Sequence, residues 1–422
     1  MPTESRTLVA NALHMVFGQG SRIPDTWDAN LSHEDAVFAQ ALLGHCLRRW
    51  GRLQTYVQSK LANPDRGLPL GSQVCLAMGL VQLAWLPGIS THACVNESVD
   101  LIGDRTHGFP PHRGLANALL RAAAKDRLGL AQQLDALPPA LDRTPFANRV
   151  LTEALAPRNQ QDRIEELWER LQRPPRPAFT VVKNEPLPEG LEADPELPGC
   201  YLLRPDAPFP RQWLASGAGM VQDRSSQALM SFKWDRPVRR IADLCAAPGG
   251  KTTSLGLRWP EAELYAVEQH PRRARRLEEN LLARGIRANI VVQDASAWLR
   301  ESHLQFDLIL LDAPCSGSGT LCKHPELVWL GDSLDMKKLL TTQKRLFDSA
   351  HHRLNKNGLF IYSVCSWLPI ECLQPNLNQI TQDEGMNQVQ IWQNKTYTER
   401  VNFNQDPLTW EGEGFQAFAL TR

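Results

Sequence analysis

Residues Ile241–Thr253 read IADLCAAPGGKTT. An apolar run ends in a glycine turn, and the segment from Lys251 has the character of a helix; a Rossmann-type sheet delivers its first strand to a cofactor in this way. Gly249 and Gly250 let main chain approach a bound molecule closely, and the first turn of the helix offers N–H groups without intrahelical partners. The spacing is not G-x-G-x-x-G, so a dinucleotide pyrophosphate does not suit this turn.

Toward the C-terminus, short apolar runs recur at Leu264–Val267, Asn289–Val292, Phe306–Leu311 and Leu359–Ser363, with helix-like segments between them. Alternating strands and helices imply a parallel, doubly wound sheet. The closing stretches VQIWQ (389–393) and GFQAFALTR (414–422) read as an antiparallel pair. Ligands of such sheets lie beyond the C-terminal ends of the strands, which turns positions into roles. Glu268 ends the second strand, about 25 residues after the first, where a carboxylate can accept both ribose hydroxyls. Asp294 ends the third and is placed to accept from an adenine amino group. Each acid taken singly reads equally well as a helix N-cap. The fourth strand runs into DAPCSGSG (312–319), continued as KHPELVW (323–329), and the fifth into YSVCS (362–366) and LPIE (368–371). Two thiols, Cys315 and Cys365, therefore stand at strand ends beside the same crevice.

Toward the N-terminus the hydrophobic period changes from 2 to about 3.6. Leu8, Ala12, Val16 and Val9, Leu13, Phe17 recur four apart, Ser32 with Asp35 makes a helix start, and Leu53, Val57, Leu61 continue the stripe. Val74–Leu86 is almost wholly apolar and stops at Pro87-Gly88, as the central helix of a bundle would. Ala93–Ile102 and Arg113–Arg127 follow, so an all-α bundle is expected over residues 1–130. Arg48, Arg49, Arg52 and Lys60 read equally as a basic face or a solvated one. Pro138, Pro139 and Pro145 break helix continuity and mark a boundary. A short helix, Arg163–Leu171, and a second break at Pro174–Pro177 lead into PAFTVVKN (177–184), giving a small α/β subdomain at 145–232 and a third domain at 233–422.

The 422 residues and 42% hydrophobic content suffice for several cores. Lys+Arg and Asp+Glu both total 46, so no net field draws polyanions and a nucleic-acid surface must come from local basic patches. Nine cysteines, an odd count without a C-x-x-C pair, fit neither a disulfide framework nor a zinc knuckle. The opening MPTESRTLVANALHMVF is not a basic region followed by a sustained apolar core, and no run of about 18 apolar residues occurs. A cytoplasmic protein with no membrane span and no metal is expected.

DLCAAPGGKT (243–252) resembles motif I of S-adenosylmethionine-dependent RNA cytosine methyltransferases. DAPCSGSG with KHPELVW resembles their motif IV, and YSVCSWLPIEC (362–372) their YSTCSxLPEEN. GMVQDRSSQ (219–227) resembles the signature at the entry to the catalytic domain, although a turn capped by Asp223 explains it as well. GLVQLAWLPGISTHACVNESVDL (79–101) with GLANALLR (114–121) is similar to the NusB-like RNA-binding domain, in the form fused ahead of a cytosine methyltransferase. The whole resembles the bacterial 16S ribosomal RNA cytosine-C5 methyltransferase family of the RsmB (Sun/Fmu) type.

That resemblance implies a NusB-like bundle, a small α/β subdomain and a Rossmann-like class I methyltransferase domain. It also implies S-adenosyl-L-methionine held by Cys245, Ala246, Ala247, Pro248, Gly249, Gly250, Lys251, Glu268, Asp294 and Asp312. Departures are Val182 for an RNA-holding Arg (its role lost or moved to Lys183), Glu268 for Asp, Val364 for Thr, Ile370 for Glu and Cys372 for Asn. Cytosine C5 becomes nucleophilic once a thiolate adds to C6, and a second group then assists proton loss and release. Chemistry alone does not say which thiol attacks: DNA cytosine methyltransferases use a Pro-Cys like Pro314-Cys315, whereas the RNA family points to Cys365, with Cys315 aiding release. Asp312 would hold the protonated N3 edge or the amino group of the ring, and Lys251 would favour the thiolate.

The implied partner is 16S ribosomal RNA, naked or in an assembling subunit, bound by a monomer. A flipped base calls for cations on its phosphates: Arg170, Arg173 and Arg176, with Arg236, Arg239 and Arg240, while the Arg272–Arg276 cluster reads as a solvated face. A transfer RNA cytosine methyltransferase would share the catalytic half but not the bundle. A non-catalytic assembly factor would not need intact thiols and cofactor acids.

Overall fold

The computed structural model describes residues 3–24, 27, 30–102, 112–372, 387–388, 402–404, 407–408 and 412–422. The chain divides into two compact units, Met1–Arg149 with His324–Leu334, and Val150–Lys323 with Asp335–Arg422.

The first unit is helical: Glu4–Gln19, His33–Arg48, Trp50–Ser59, Leu70–Trp85, Thr91–Ile102, Arg113–Ala124 and Arg127–Asp135. Leu70–Trp85 forms its centre, with Val74, Cys75, Leu76, Met78, Leu80, Val81 and Leu83 at most 2% exposed. Each large apolar side chain buried this way contributes about 1.5–3 kcal/mol. Two polar side chains on this helix, Ser72 and Gln82, are fully buried, and Gln82 is satisfied: it accepts from Arg6 Nε at 2.8 Å and donates to Met78 O at 3.0 Å. Ser32 caps the second helix by accepting from Asp35 N.

The expected helix Val74–Leu86 starts earlier, at Leu70, and the expected strand Leu359–Ser363 starts at Leu354; two further differences from the sequence reading have a local cause. The single helix expected over 113–127 is two, because the Asp126 side chain accepts from Gly129 N and starts a new helix there. Arg127 then turns back to cover main-chain carbonyls of Gln82, Leu83 and Ile89. Pro145 begins a helix, Pro145–Leu155, instead of breaking one; the first helical position needs no N–H, and Thr144 Oγ1 accepts from Ala147 N. The segment His324–Leu334 packs in this unit as well, with Trp329 Nε1 donating to Leu47 O at 2.8 Å and Thr144 Oγ1 to Val328 O at 2.7 Å.

The second unit carries two sheets. The smaller is antiparallel, from β1 (Ala178–Val181), β2 (Leu191–Ala193), β3 (Cys200–Leu203) and β4 (Gly219–Val221), in the order β2-β3-β1-β4. The larger is built from β5 (Arg240–Leu244), β6 (Glu263–Val267), β7 (Asn289–Val291), β8 (Phe306–Asp312), β9 (Leu354–Val364), β10 (Asn387–Gln388), β11 (Asn402–Asn404) and β12 (Gln416–Thr421). Its order is β10-β12-β9-β8-β5-β6-β7, with β11 also on β12. The five strands β5 to β9 run parallel, and β12 lies antiparallel on β9. The expected strand at 389–393 lies outside the described residues. Leu308, Ile309, Leu310 and Leu311 of β8 are all fully buried, as a central parallel strand with both faces covered requires. No helix among the described residues is long and apolar enough to cross a membrane.

Register positions the chemistry. Leu244 pairs with Leu311 and Asp312 with Ser363, so the loops after β5, β8 and β9 leave the sheet side by side.

Candidate active site

β5 ends at Leu244, and the chain turns at Cys245 (φ 65°) before Gly249 (φ 103°) leads into the helix Gly250–Arg258. The left-handed φ of Gly249 strains any residue with a side chain, and a Cβ there would also push on the tip of Leu277 at 2.8 Å. Arg273 Nη2 donates to Ala247 O at 3.1 Å and Asn280 Nδ2 to Pro248 O at 2.9 Å, fixing the turn from the helix Pro271–Arg284. Below it Thr252 Oγ1 donates to Asp243 Oδ2 at 2.6 Å.

Burial pushes the Asp243 carboxyl up to about 7, the Thr252 hydrogen bond offsetting only part of the cost. A folded-state pKa raised above that of the unfolded chain means stability is highest at low pH and declines as pH rises through the interval between the two values. Relative to Asp243→Asn, the wild-type protein is therefore expected to lose roughly 1 kcal/mol of stability per pH unit between about pH 5 and 7, then level off. Urea unfolding of both proteins across that range checks this; parallel pH profiles would refute it.

The acids at the next two strand ends differ in state. Glu268 is 2% exposed; Oε1 accepts from His270 N at 2.9 Å, while Oε2 is buried, lies 3.5 Å from Arg273 Nη1 and accepts no hydrogen bond among the described residues. An orphaned carboxylate oxygen at this place fits a ribose hydroxyl. Asp294 caps the helix Ala295–Ser302 through Ala297 N and also binds Arg345, whose Nη1 and Nη2 lie 2.8 and 2.9 Å from its two oxygens. The Arg345 guanidinium holds this carboxyl well below the usual range. Its capping role and its strand-end position coexist, and Arg345 leaves it a charged acceptor.

At the end of β8, Asp312 Oδ2 accepts from Lys251 Nζ at 2.7 Å and Oδ1 from Ser363 Oγ at 2.7 Å. Burial pulls the Lys251 ammonium down, but the Asp312 carboxylate, with smaller pulls from Cys365 and Asp243, outweighs it and leaves the pKa raised. Cys315 and Cys365 bring their sulfurs to 3.2 Å. The Cys365 thiol is pushed up by its hydrogen bond with Cys315, by burial and by the charges of Cys315, Asp312 and Glu413. The loops beneath them touch: Gly319 N donates to Cys365 O at 3.1 Å and Gly414 N to Gly319 O at 2.7 Å, and a Cβ on Gly319 would sit 1.9 Å from Gly414 O. Cys245 is also raised, by burial and then by Asp312, Glu268 and Asp243, which places those acids around one crevice. No disulfide joins the cysteines among the described residues. Among the described residues no group of three or more His, Cys, Asp or Glu is arranged to hold a metal.

Several residues escaped sequence reasoning. Arg273, read as part of a solvated cluster, instead braces Ala247 and Glu268. Its signal was its place in the first turn after Glu268. Lys323 Nζ bridges Asp223 at 2.7 Å and Glu413 at 2.9 Å, so GMVQDRSSQ is both a capped turn and one wall of the thiol loops. Lys183, a candidate for the displaced Arg contact, donates to Ser216 O and Ala283 O. Of the proposed basic face in the helical unit, Arg52 is buried against Asp142, Arg49 stacks over Trp85, Arg48 is half-buried and Lys60 is exposed. Among the phosphate candidates, Arg170 binds Pro407 O, Arg240 pairs with Glu263, and Arg173 and Arg239 are exposed. Val364 and Cys372 are fully buried and Ile370 is 43% exposed.

Residues 235–415 match the family model 16S rRNA methyltransferase RsmB/F, and residues 3–125 match the NusB family. A curated relative from Escherichia fergusonii, ribosomal RNA small subunit methyltransferase B, is 30% identical over 383 residues, covering 87% of each chain. Its counterpart from Klebsiella pneumoniae is 29% identical over 389 residues with the same coverage. Among solved structures, PH0851 matches over 100% of both chains with a TM-score of 0.75 at 18% identity. NSun6 from Pyrococcus horikoshii with SFG matches over 66% of this chain and 98% of that one, with a TM-score of 0.56 at 16% identity. At these identities the structural likeness is one of fold.

Proposed function

The chain belongs to the 16S rRNA methyltransferase RsmB/F family, and from that premise we propose that it methylates C5 of a cytosine in 16S ribosomal RNA through a covalent bond between Cys365 and C6. The observation that carries this reading is the pair of sulfurs 3.2 Å apart beside the Lys251–Asp312 ion pair. S-adenosyl-L-methionine, when bound, supplies the electrophilic methyl group. Cys245–Lys251, Glu268, Asp294 and Asp312 are the residues to hold it, and the orphaned Glu268 oxygen supports this fit.

Cys365 gives up its proton to solvent, and its sulfur bonds to C6 while the pair of the C5–C6 double bond shifts to C4–C5 and that of C4–N3 onto N3, which takes up a proton and returns it when the ring re-forms. Asp312 accepts from the protonated N3 or from the amino group of the ring, with Ser363 and Lys251 holding the carboxylate in place. Lys251, kept cationic by Asp312, stabilises the thiolate before attack. C5, now an enamine carbon, takes the methyl group. A base then removes the C5 proton, the pair re-forms C5=C6, the C6–S bond breaks, and Cys315 assists this release.

In this reading residues 1–130 capture RNA, residues 145–232 add contacts through exposed Arg173, and residues 233–422 carry the reaction, in a cytoplasmic monomer without a metal. Purified protein with methyl-labelled cofactor is expected to form 5-methylcytosine in 16S RNA, located by nuclease digestion and methylation mapping. Label appearing on transfer RNA alone would defeat the substrate assignment, and label on another base would defeat the reaction.

A further inference from the structure

Glu371 is fully buried and plays no part in the chemistry above, yet its carboxylate touches both thiol loops. Oε1 accepts from Ser316 N at 2.7 Å and from Gln343 Nε2 at 3.1 Å; Oε2 accepts from Ser316 Oγ and Ser366 Oγ, each at 2.5 Å. Ser316 follows Cys315 and Ser366 follows Cys365, so one carboxylate grips the neighbour of each cysteine. Gln343, on the helix Met336–His351, also donates to Pro314 O at 2.9 Å and so holds the carboxylate and the Cys315 loop together. Buried, charge-assisted hydrogen bonds are short and strong, and breaking one leaves an uncompensated polar group, so the arrangement resists independent movement of either loop.

We propose that Glu371 is a positioning residue: by tying Ser316 to Ser366 it sets the sulfur-to-sulfur separation of Cys315 and Cys365. Without this clamp the register of β8 on β9, the Gly319 N to Cys365 O bond and the Ser318–Ser366 hydroxyl pair at 2.8 Å still bring the loops together, but the residues directly after the two cysteines lose their shared anchor. A two-thiol reaction needs attack and release from one geometry, and misplacement of about 1 Å costs roughly a hundredfold in rate. The inference rests on the two-thiol reading of the site, but its crosslinking readout does not depend on RNA.

Diamide takes two electrons and two protons from a thiol pair, forming a disulfide and a hydrazine, and its rate on Cys315 and Cys365 reports how closely they are held. Glu371→Ala is expected to slow this crosslink at least tenfold, read by loss of titratable thiols and peptide mapping. It should lower kcat at least tenfold while KM for RNA and affinity for S-adenosyl-L-homocysteine stay within about twofold. Glu371→Gln restores both readouts to within about threefold of wild type, because an amide accepts on the Ser316 N side and donates to the hydroxyls, which reverse. If Glu371→Ala does not fold, Ser366→Ala, which removes the arm beside the nucleophile, carries the same expectation. A folded alanine variant that crosslinks at the wild-type rate overturns the proposal. Slowed crosslinking in a protein whose wild type makes no 5-methylcytosine would sustain the clamp and defeat the reaction assigned above.

Discussion

Cys365→Ala is expected to lower methyl transfer to 16S RNA by about four orders of magnitude or more, with cofactor affinity unchanged. Cytosine C5 carries too little electron density to attack a sulfonium methyl, and removing the sulfur removes the step that creates it. Four orders correspond to about 5 kcal/mol of barrier, far beyond the packing cost of deleting one partly buried sulfur. The resting thiol is held protonated, by Cys315 first and then by burial and the charges of Asp312 and Glu413. Because the attacking form is the thiolate, wild-type single-turnover rates should climb with pH through the mildly alkaline range. The raised Lys251 pKa keeps that ammonium charged over the same interval, so it does not cancel the rise. Single-turnover transfer at several pH values measures both effects, and a turnover-competent Cys365→Ala enzyme would shift the nucleophilic role to Cys315.

The parts of this site visible in the sequence are those for which a strand end or a short motif fixes the address. Glu268, Asp294 and Asp312 follow β6, β7 and β8 because parallel strands with short loops deliver their last residues to one edge. The central helix Leu70–Trp85 was legible for a similar reason, its apolar positions leaving no polar face to misread. Contacts formed by residues far apart in the chain were not legible. Arg345 reaches Asp294 from 51 residues away, and nothing near either residue announces the other. Arg52 looked like part of a basic surface until Asp142, 90 residues on, buried it. Asp126 and Pro145 mislead in different ways: Asp126 reads as helix interior and Pro145 as a break, yet each starts a helix here. Glu371 stood inside a recognised motif, but four hydrogen bonds from three separate segments, which define its surroundings, exist only after β8 and β9 pair.

Cys315→Ala is expected to accumulate a covalent protein–RNA complex that migrates as a distinct band on a denaturing gel. Its sulfur lies 3.2 Å from Cys365, close enough to serve the same base from the neighbouring loop, but it follows β8 rather than β9 and so approaches from a different strand end. Addition through Cys365 and methyl gain at C5 do not call on it. The later steps do: the C5 proton must leave and the C6–S bond must break, and the thiol next to the leaving sulfur is the group placed to assist. Removing it stalls the reaction after the bond has formed, so steady-state turnover falls at least about a hundredfold, in the range usual for loss of an acid–base group, while adduct rises. The double variant Cys315→Ala/Cys365→Ala should give no adduct, since the attacking sulfur is gone. An adduct in Cys365→Ala with none in Cys315→Ala would exchange the two roles. Full turnover without adduct in Cys315→Ala would remove this cysteine from the mechanism and leave proton loss at C5 to Asp312 or to solvent.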